Sequence, residues 1–295
     1  MLKRPTLCLL TCLCVLAVCI VSPVMAEEIK ITLPENPLTQ SLLLRLRLQS
    51  SIMGFPVPVI VYLPKGYGNG DTYPVWYALH SYSSSETMWV DDEHIDQIAD
   101  QLIADKKIPP LVMVFPFVRY DSAKVIVTDM QDGIRSESQS NRFLCEELIP
   151  YIDATFQTEA VAKARSISGF SMGGLFALEI GLRHPELFSR IGAFSPALKK
   201  KEYSVASLSD WLFPGEALPT PDNWLSVHHL QATSIYLDCG GTSDPFSQGI
   251  ASLASLLQQL GIKLEYSPHQ GGHSLRQDRL KTYLTFSAAF ESVIP

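Results

Sequence analysis

Gly169-Phe170-Ser171-Met172-Gly173, followed by Gly174, sets a serine two residues from a glycine on either side. That spacing, G-x-S-x-G, is the pattern of a nucleophile elbow, where a strand turns sharply into a helix and lifts a serine hydroxyl above the sheet. The chemistry available to such a serine is acyl transfer. Its oxygen attacks a carbonyl carbon, and the helix N-terminus behind it favours the negative charge that develops. The flanks are of the required kind: Ser166, Ile167 and Ser168 read as the end of a strand, and an Ala/Leu-rich run after Gly174 reads as a helix. The plain alternative is a glycine-rich helix start with no chemistry.

A serine hydroxyl is a weak nucleophile until a base takes its proton, and that base needs an orienting carboxylate. In the arrangement built on this elbow the chain order is Ser, then Asp or Glu, then His. Downstream histidines are His184, His228, His229, His269 and His273. His184 falls on the elbow helix, three turns away, and His228 and His229 precede a strand. His273, in Gly271-Gly272-His273-Ser274, lies in a turn past the last strand and is the expected base, with His269 in reserve. Asp244, in the loop Gly240-Gly241-Thr242-Ser243-Asp244-Pro245, is the expected carboxylate. Asp238 competes with it from the strand, and Asp244 could instead simply start the next helix. Two backbone N–H groups must face the oxyanion. Met172, directly after the nucleophile, supplies one, and Tyr82 in the loop His80-Ser81-Tyr82-Ser83-Ser84-Ser85 supplies the other. His80 precedes the serine and is expected to buttress this loop.

The elements that must position these residues follow from periodicity. Residues 28–33, 40–49 and 56–64 read as strands in an antiparallel start, with Leu42, Leu44, Leu46 and Leu48 on one half-buried face. Strands at 74–79, 110–116, 166–168, 188–194, 234–239 and 262–267 then alternate with helices near 91–106, 143–152, 172–184, 246–260 and beyond 274. The pattern predicts an α/β fold: a mostly parallel central sheet with antiparallel N-terminal strands and helices on both faces. Two long connections, 120–138 and 198–232, interrupt the rhythm. The second carries Trp211, Phe213, Trp224 and His228-His229, and reads equally as a surface excursion pinned by aromatics or as a wall of the substrate pocket.

The chain has 295 residues and a formal charge of −7. Lys3 and Arg4, an apolar run from Leu7 to Val21, and Val24-Met25-Ala26 have the order of a secretory signal. Residues 1–26 are therefore expected to be removed, leaving one domain over 27–295, secreted or periplasmic and without a stable membrane anchor. A retained anchor is the rival, but the run is short for one. The remainder carries 21 basic and 30 acidic residues, which argues against a nucleic-acid partner. Only Cys145 and Cys239 remain of six cysteines. A disulfide between them is open, with two buried thiols the simpler reading. No metal-binding motif appears, and neither metal nor organic cofactor is expected.

Taken together, VYLPKGY (61–67), YPVWYALH (73–80), EELIPYIDATF (146–156), SGFSMGG (168–174), LDCGGTSDPF (237–246) and GGHS (271–274) resemble one esterase family of the α/β-hydrolases. That family includes S-formylglutathione hydrolase, feruloyl and acetylxylan esterases, enterobactin-type siderophore esterases and mycolyltransferases. The resemblance implies the α/β-hydrolase fold, the triad Ser171, Asp244 and His273, and an oxyanion hole from the Met172 and Tyr82 amides. One departure is Ser81, where the family usually has glycine, a side chain able to narrow the pocket or tilt the Tyr82 N–H. The implied function is a secreted serine carboxylesterase acting on a small acyl or carbohydrate-linked ester. An acyltransferase to a sugar or lipid hydroxyl is the alternative within enzymes, and a non-catalytic binding protein on the same fold is the alternative outside them.

Overall fold

A computed structural model describes residues 36–118, 138–198 and 202–290. The expected leader 1–26, the strand 28–33 and all but the last residue of the 120–138 connection lie outside the described residues. Eight strands form one sheet in the order β1-β2-β4-β3-β5-β6-β7-β8. They are β1 Leu42–Gln49, β2 Pro56–Leu63, β3 Val75–Leu79, β4 Val112–Pro116, β5 Arg165–Phe170, β6 Arg190–Phe194, β7 Ser234–Cys239 and β8 Lys263–Pro268. β1 and β2 pair antiparallel, β2 pairs antiparallel with β4, and every later neighbour is parallel. The antiparallel start and parallel remainder expected from the sequence are both present.

Composition explains the placing. β3 and β4 are continuous apolar runs, buried at every residue, as central parallel strands covered on both faces must be. At the edge, β1 alternates half-buried Leu42, Leu44, Leu46 and Leu48 with exposed Arg45 and Arg47, charges that discourage pairing with another chain.

Successive residues of a strand face opposite ways, and both faces are filled. Ile60, Tyr62, Trp76, Ala78, Met113, Phe115, Phe194 and Tyr236 pack with helices Ile95–Ala104 and Gln277–Ser287. On the other face lies the elbow helix, Met172–Arg183. It comes so close at Gly181 that a Cβ there would sit 2.5 Å from the Ile191 side chain and 3.2 Å from that of Ile167.

Two expectations change. The segment 198–232 is not a plain connection: it contains the helix Val205–Leu212 and a short turn of helix, Trp224–Val227. Ser204 caps the first of these in a reciprocal box with Ser207, a box usually closed by Glu or Gln and so invisible to pattern reading. Cys145 and Cys239 are not joined in a disulfide, and only Cys239 is buried; Cys145 is half-buried. Among the described residues no helix is long and apolar enough to cross a membrane.

Candidate active site

β5 ends at Phe170, and the elbow helix begins at Met172, leaving Ser171 alone at the turn. Its φ of 58° and ψ of −116° lie outside the regions a serine ordinarily adopts. Crowding explains the glycines. A Cβ at Gly169 would lie 2.3 Å from the Gly173 backbone, and one at Gly173 would lie 2.5 Å from both the Leu79 and His80 carbonyl oxygens. The turn is held by Ser171 N–H donating to Phe194 O at 3.0 Å and by Ala197 N–H donating to Ser171 O at 2.9 Å.

His273 Nε2 stands 2.9 Å from Ser171 Oγ although the two are 102 residues apart in sequence. Its other ring nitrogen faces Asp244 Oδ1 at 3.4 Å. That is longer than a hydrogen bond, as is common before a substrate draws such a site together. Phe170 stacks on the imidazole at 5.1 Å and Phe246 meets it edge-on at 4.9 Å, so the ring is confined between two aromatic groups.

Two parallel strand ends bring His273 to Asp244. His269 N–H donates to Cys239 O at 2.8 Å and Gly272 N–H donates to Gly240 O at 3.0 Å, continuing the β7–β8 pairing into the loops. Asp244 is buried, and burial alone would raise its pKa. Contacts from His273, the Ser195 hydroxyl and the N–H groups of Phe246 and Gly240 outweigh that and bring it down to about 2. It is a carboxylate at any ordinary pH.

The two reserve residues are placed elsewhere, and together. His269 Nε2 lies 3.6 Å from Asp238 Oδ2, and Arg279 is at the same distance from that oxygen. Asp238 faces the core beside Tyr236, whose hydroxyl also contacts Arg279. His184 sits past the far end of the elbow helix, 2.9 Å from Glu186. His228 is buried against Phe213 in a flat stack at 3.8 Å. Trp211 O accepts from Arg183 at 2.9 Å, at the end of a 12-residue helix that spans about 18 Å from the nucleophile. The aromatics of 198–232 therefore pin down a surface excursion. Among the described residues no group of three or more His, Cys, Asp or Glu could hold a metal ion. A groove of about 730 Å³ lined by Tyr203, Gln248, Ser252 and Gln259 contains none of the five candidate site residues.

Met172 opens the elbow helix, where amides have no intrahelical acceptor. Tyr82 is on the loop after β3, drawn alongside the elbow by the Leu79–Gly169 register. His80 organises that loop. Its buried ring accepts the Val118 N–H on Nε2 at 3.0 Å, so Nδ1 carries the proton and donates to Ser81 O at 2.7 Å. Ser84 N–H donates to the same carbonyl at 3.2 Å. In a trans peptide C=O and N–H point opposite ways, so locking Ser81 O turns the Tyr82 N–H to the other side. The carbonyl of Ser81 thus orients that amide.

Burial pushes His80 down to about 4, and the Ser81 carbonyl on Nδ1, which favours its charge, offsets only part of that. Protonating Nε2 would set a donor against the Val118 N–H. Because the unfolded chain binds the proton near pH 6.5 and the folded chain does not, stability from this group is full above that value and is lost as pH falls towards 4. Urea unfolding is expected to show wild type losing roughly 3 kcal/mol more than His80→Gln between pH 7 and 4. Parallel losses in the two proteins would remove this account.

Sequence reasoning missed Ser195, which contacts both Asp238 and Asp244. Nothing in Phe194-Ser195-Pro196 marks it out.

Comparison with known proteins follows the same lines. Residues 50–277 match the model of the family described as "Putative esterase". An endo-1,4-beta-xylanase/feruloyl esterase of Xylanibacter ruminicola is 31% identical over 213 residues, covering 70% of this chain and 25% of that protein. Esterase Rv1288 of Mycobacterium tuberculosis is 27% identical over 265 residues, covering 80% and 56%. The chain thus spans between a quarter and just over half the length of these curated relatives. A solved ferulic acid esterase superposes with a TM-score of 0.70 at 20% identity, covering 86% of this chain and 99% of its own, which establishes the shared α/β-hydrolase fold. With the family match running from before β2 to the start of the last helix, this chain belongs to that esterase family.

Proposed function

We propose that the protein is a serine carboxylesterase using Ser171, His273 and Asp244. The observation that carries this reading is the 2.9 Å approach of His273 Nε2 to Ser171 Oγ, with Asp244 on the far side of the ring. His273 takes the Ser171 proton as Oγ attacks the ester carbonyl. The amides of Met172 and Tyr82 receive the oxyanion, and Asp244 stabilises the imidazolium. His273 then protonates the departing alcohol. Water, deprotonated by the same imidazole, attacks the acyl-enzyme, and His273 returns that proton to Ser171 Oγ as the acid leaves.

Family membership and the feruloyl esterase name of the Xylanibacter relative favour a small acyl or carbohydrate-linked ester as substrate. Secretion, and a single catalytic domain over 27–295, are proposed on the charged, apolar and small-residue order of residues 3–26. A glutathione thioester, a cytosolic compound, fits that location poorly.

Intact mass after treatment with a fluorophosphonate tests the mechanism. One adduct is expected on wild type and none on Ser171→Ala. A folded wild type that takes no adduct would sink the serine mechanism. Adding a sugar alcohol during turnover then reads transfer against hydrolysis, and free acid is expected to remain the main product.

A further inference from the structure

We propose that Ser195 is a positioning residue that fixes the Asp244 carboxylate. The inference rests on the triad reading above and concerns how that triad is held.

The turn after β6 touches every part of the site that must stay in register. Phe194 O accepts the Ser171 N–H, and Ala197 N–H donates to Ser171 O. Between these two anchors Ser195 donates its backbone N–H to Asp238 Oδ1 at 2.9 Å and its hydroxyl to Asp244 Oδ2. Four residues thus tie the nucleophile's backbone to the carboxylate 73 positions further along the chain. Ser195 is 2% exposed, so water does not compete for either contact.

The two oxygens of Asp244 are divided between different tasks. Oδ2 takes the Ser195 hydroxyl and the Gly240 N–H at 3.2 Å. Oδ1 takes the Phe246 N–H at 3.0 Å and faces His273. Without the hydroxyl, Oδ2 keeps only the longer contact, and the carboxylate can turn about its Cβ–Cγ bond away from the imidazole. Ser195 also has φ of 45°, a left-handed conformation that a serine adopts at a cost and glycine adopts freely. A serine kept where glycine fits better points to a use for its hydroxyl.

The surroundings contain several charges. Asp238 projects from β7, with His269 from the loop after β8 and Arg279 from the last helix beside it. Tyr236 and Tyr283 close the same cluster. Ser195 gives Asp238 an amide and Asp244 a hydroxyl, so each buried carboxylate has its own donor and its own histidine.

The test compares Ser195→Ala with Ser195→Gly. Both remove the hydroxyl and keep the N–H to Asp238, while glycine also relieves the φ. Both are expected to lose about ten- to a hundredfold in kcat and in fluorophosphonate labelling rate, with KM within about twofold. Ser195→Gly should melt above Ser195→Ala and be no more active. Recovery of wild-type rate in Ser195→Gly would overturn the proposal and assign the alanine defect to backbone strain. Wild-type kcat and labelling rates in both variants would overturn it as well. A wild type that does not label at all would overturn the esterase reading itself, and the Ser195 assignment with it.

Discussion

Ser171→Ala is expected to lower ester hydrolysis by about 10⁶-fold in kcat, and His273→Ala by a similar factor. The double variant should lose no more than either alone. Geometry accounts for the non-additivity: the Ser171 oxygen becomes a nucleophile only as the Nε2 atom 2.9 Å away takes its proton, so removing either atom removes the same event. A residual rate of about 10³ to 10⁴ over water should survive, supplied by the oxyanion amides and by substrate binding. KM should change little, since neither side chain is expected to contribute much to binding the ground state. Stability should also change little in Ser171→Ala, because the elbow is held by backbone hydrogen bonds at Phe194 and Ala197 and alanine has the same backbone demands. Steady-state kinetics on a chromogenic ester, with a thermal melt of each variant, checks all of this. A Ser171→Ala protein retaining more than about 1% of kcat, or two single losses that multiply in the double variant, would place the nucleophile elsewhere.

Gly240→Ala is expected to cost at least a hundredfold in kcat although residue 240 carries no catalytic atom. A Cβ there would fall 1.8 Å from Gly272 O and 2.3 Å from Gly272 C, backbone atoms that cannot rotate away. The loop after β8 must then retreat by more than an ångström to restore ordinary contact. The next residue on that loop is His273, and a displacement of about 1 Å at a reacting group can cost about 10² in rate. The Gly272 N–H to Gly240 O hydrogen bond is strained by the same movement. Overpacking of this kind also lowers stability by about 1–3 kcal/mol, so a fall in melting temperature should accompany the loss of rate. Fluorophosphonate labelling separates the two effects, because it reads the serine–histidine geometry in the fraction that remains folded. Near-normal labelling with a lowered melting temperature would mean that the loops yield somewhere other than at His273.

Much of this architecture is legible in the linear chain. The strands announce themselves because a sheet covered on both faces demands continuous apolar runs, as in Val75–Leu79 and Val112–Pro116. The edge strand is legible for the opposite reason, its alternation of leucine with arginine. Ser171 is marked because a crowded turn tolerates only glycine two residues to either side, and chain order points to a carboxylate and a histidine in the loops after later strands. The helix Val205–Leu212 escapes such reading. Its cap is completed by Ser207 where a pattern would seek an acidic or amide residue, and the prolines and glycine that follow suggest a loop.

The choice among rival partners depends on folding. The sequence ranks Asp244, in a loop, above Asp238, on the strand, and His273, in its glycine turn, above His269, but leaves both rivals standing. The strand's two-residue alternation sends Asp238 to the same face as Tyr236, into the core beside Arg279, where it meets His269. Asp244 lies past the strand end and is free of that alternation, so the loop pairing of Gly240 with Gly272 delivers His273 to it. Ser195 is further still from any pattern. A serine before a proline carries no signal, and its two partners lie 43 and 49 residues away in sequence. The residue types and their order carry the chemistry this chain can attempt. Which carboxylate lies beside which imidazole is set by strand register and by the close approach of two loops, properties that exist only once the sheet has formed.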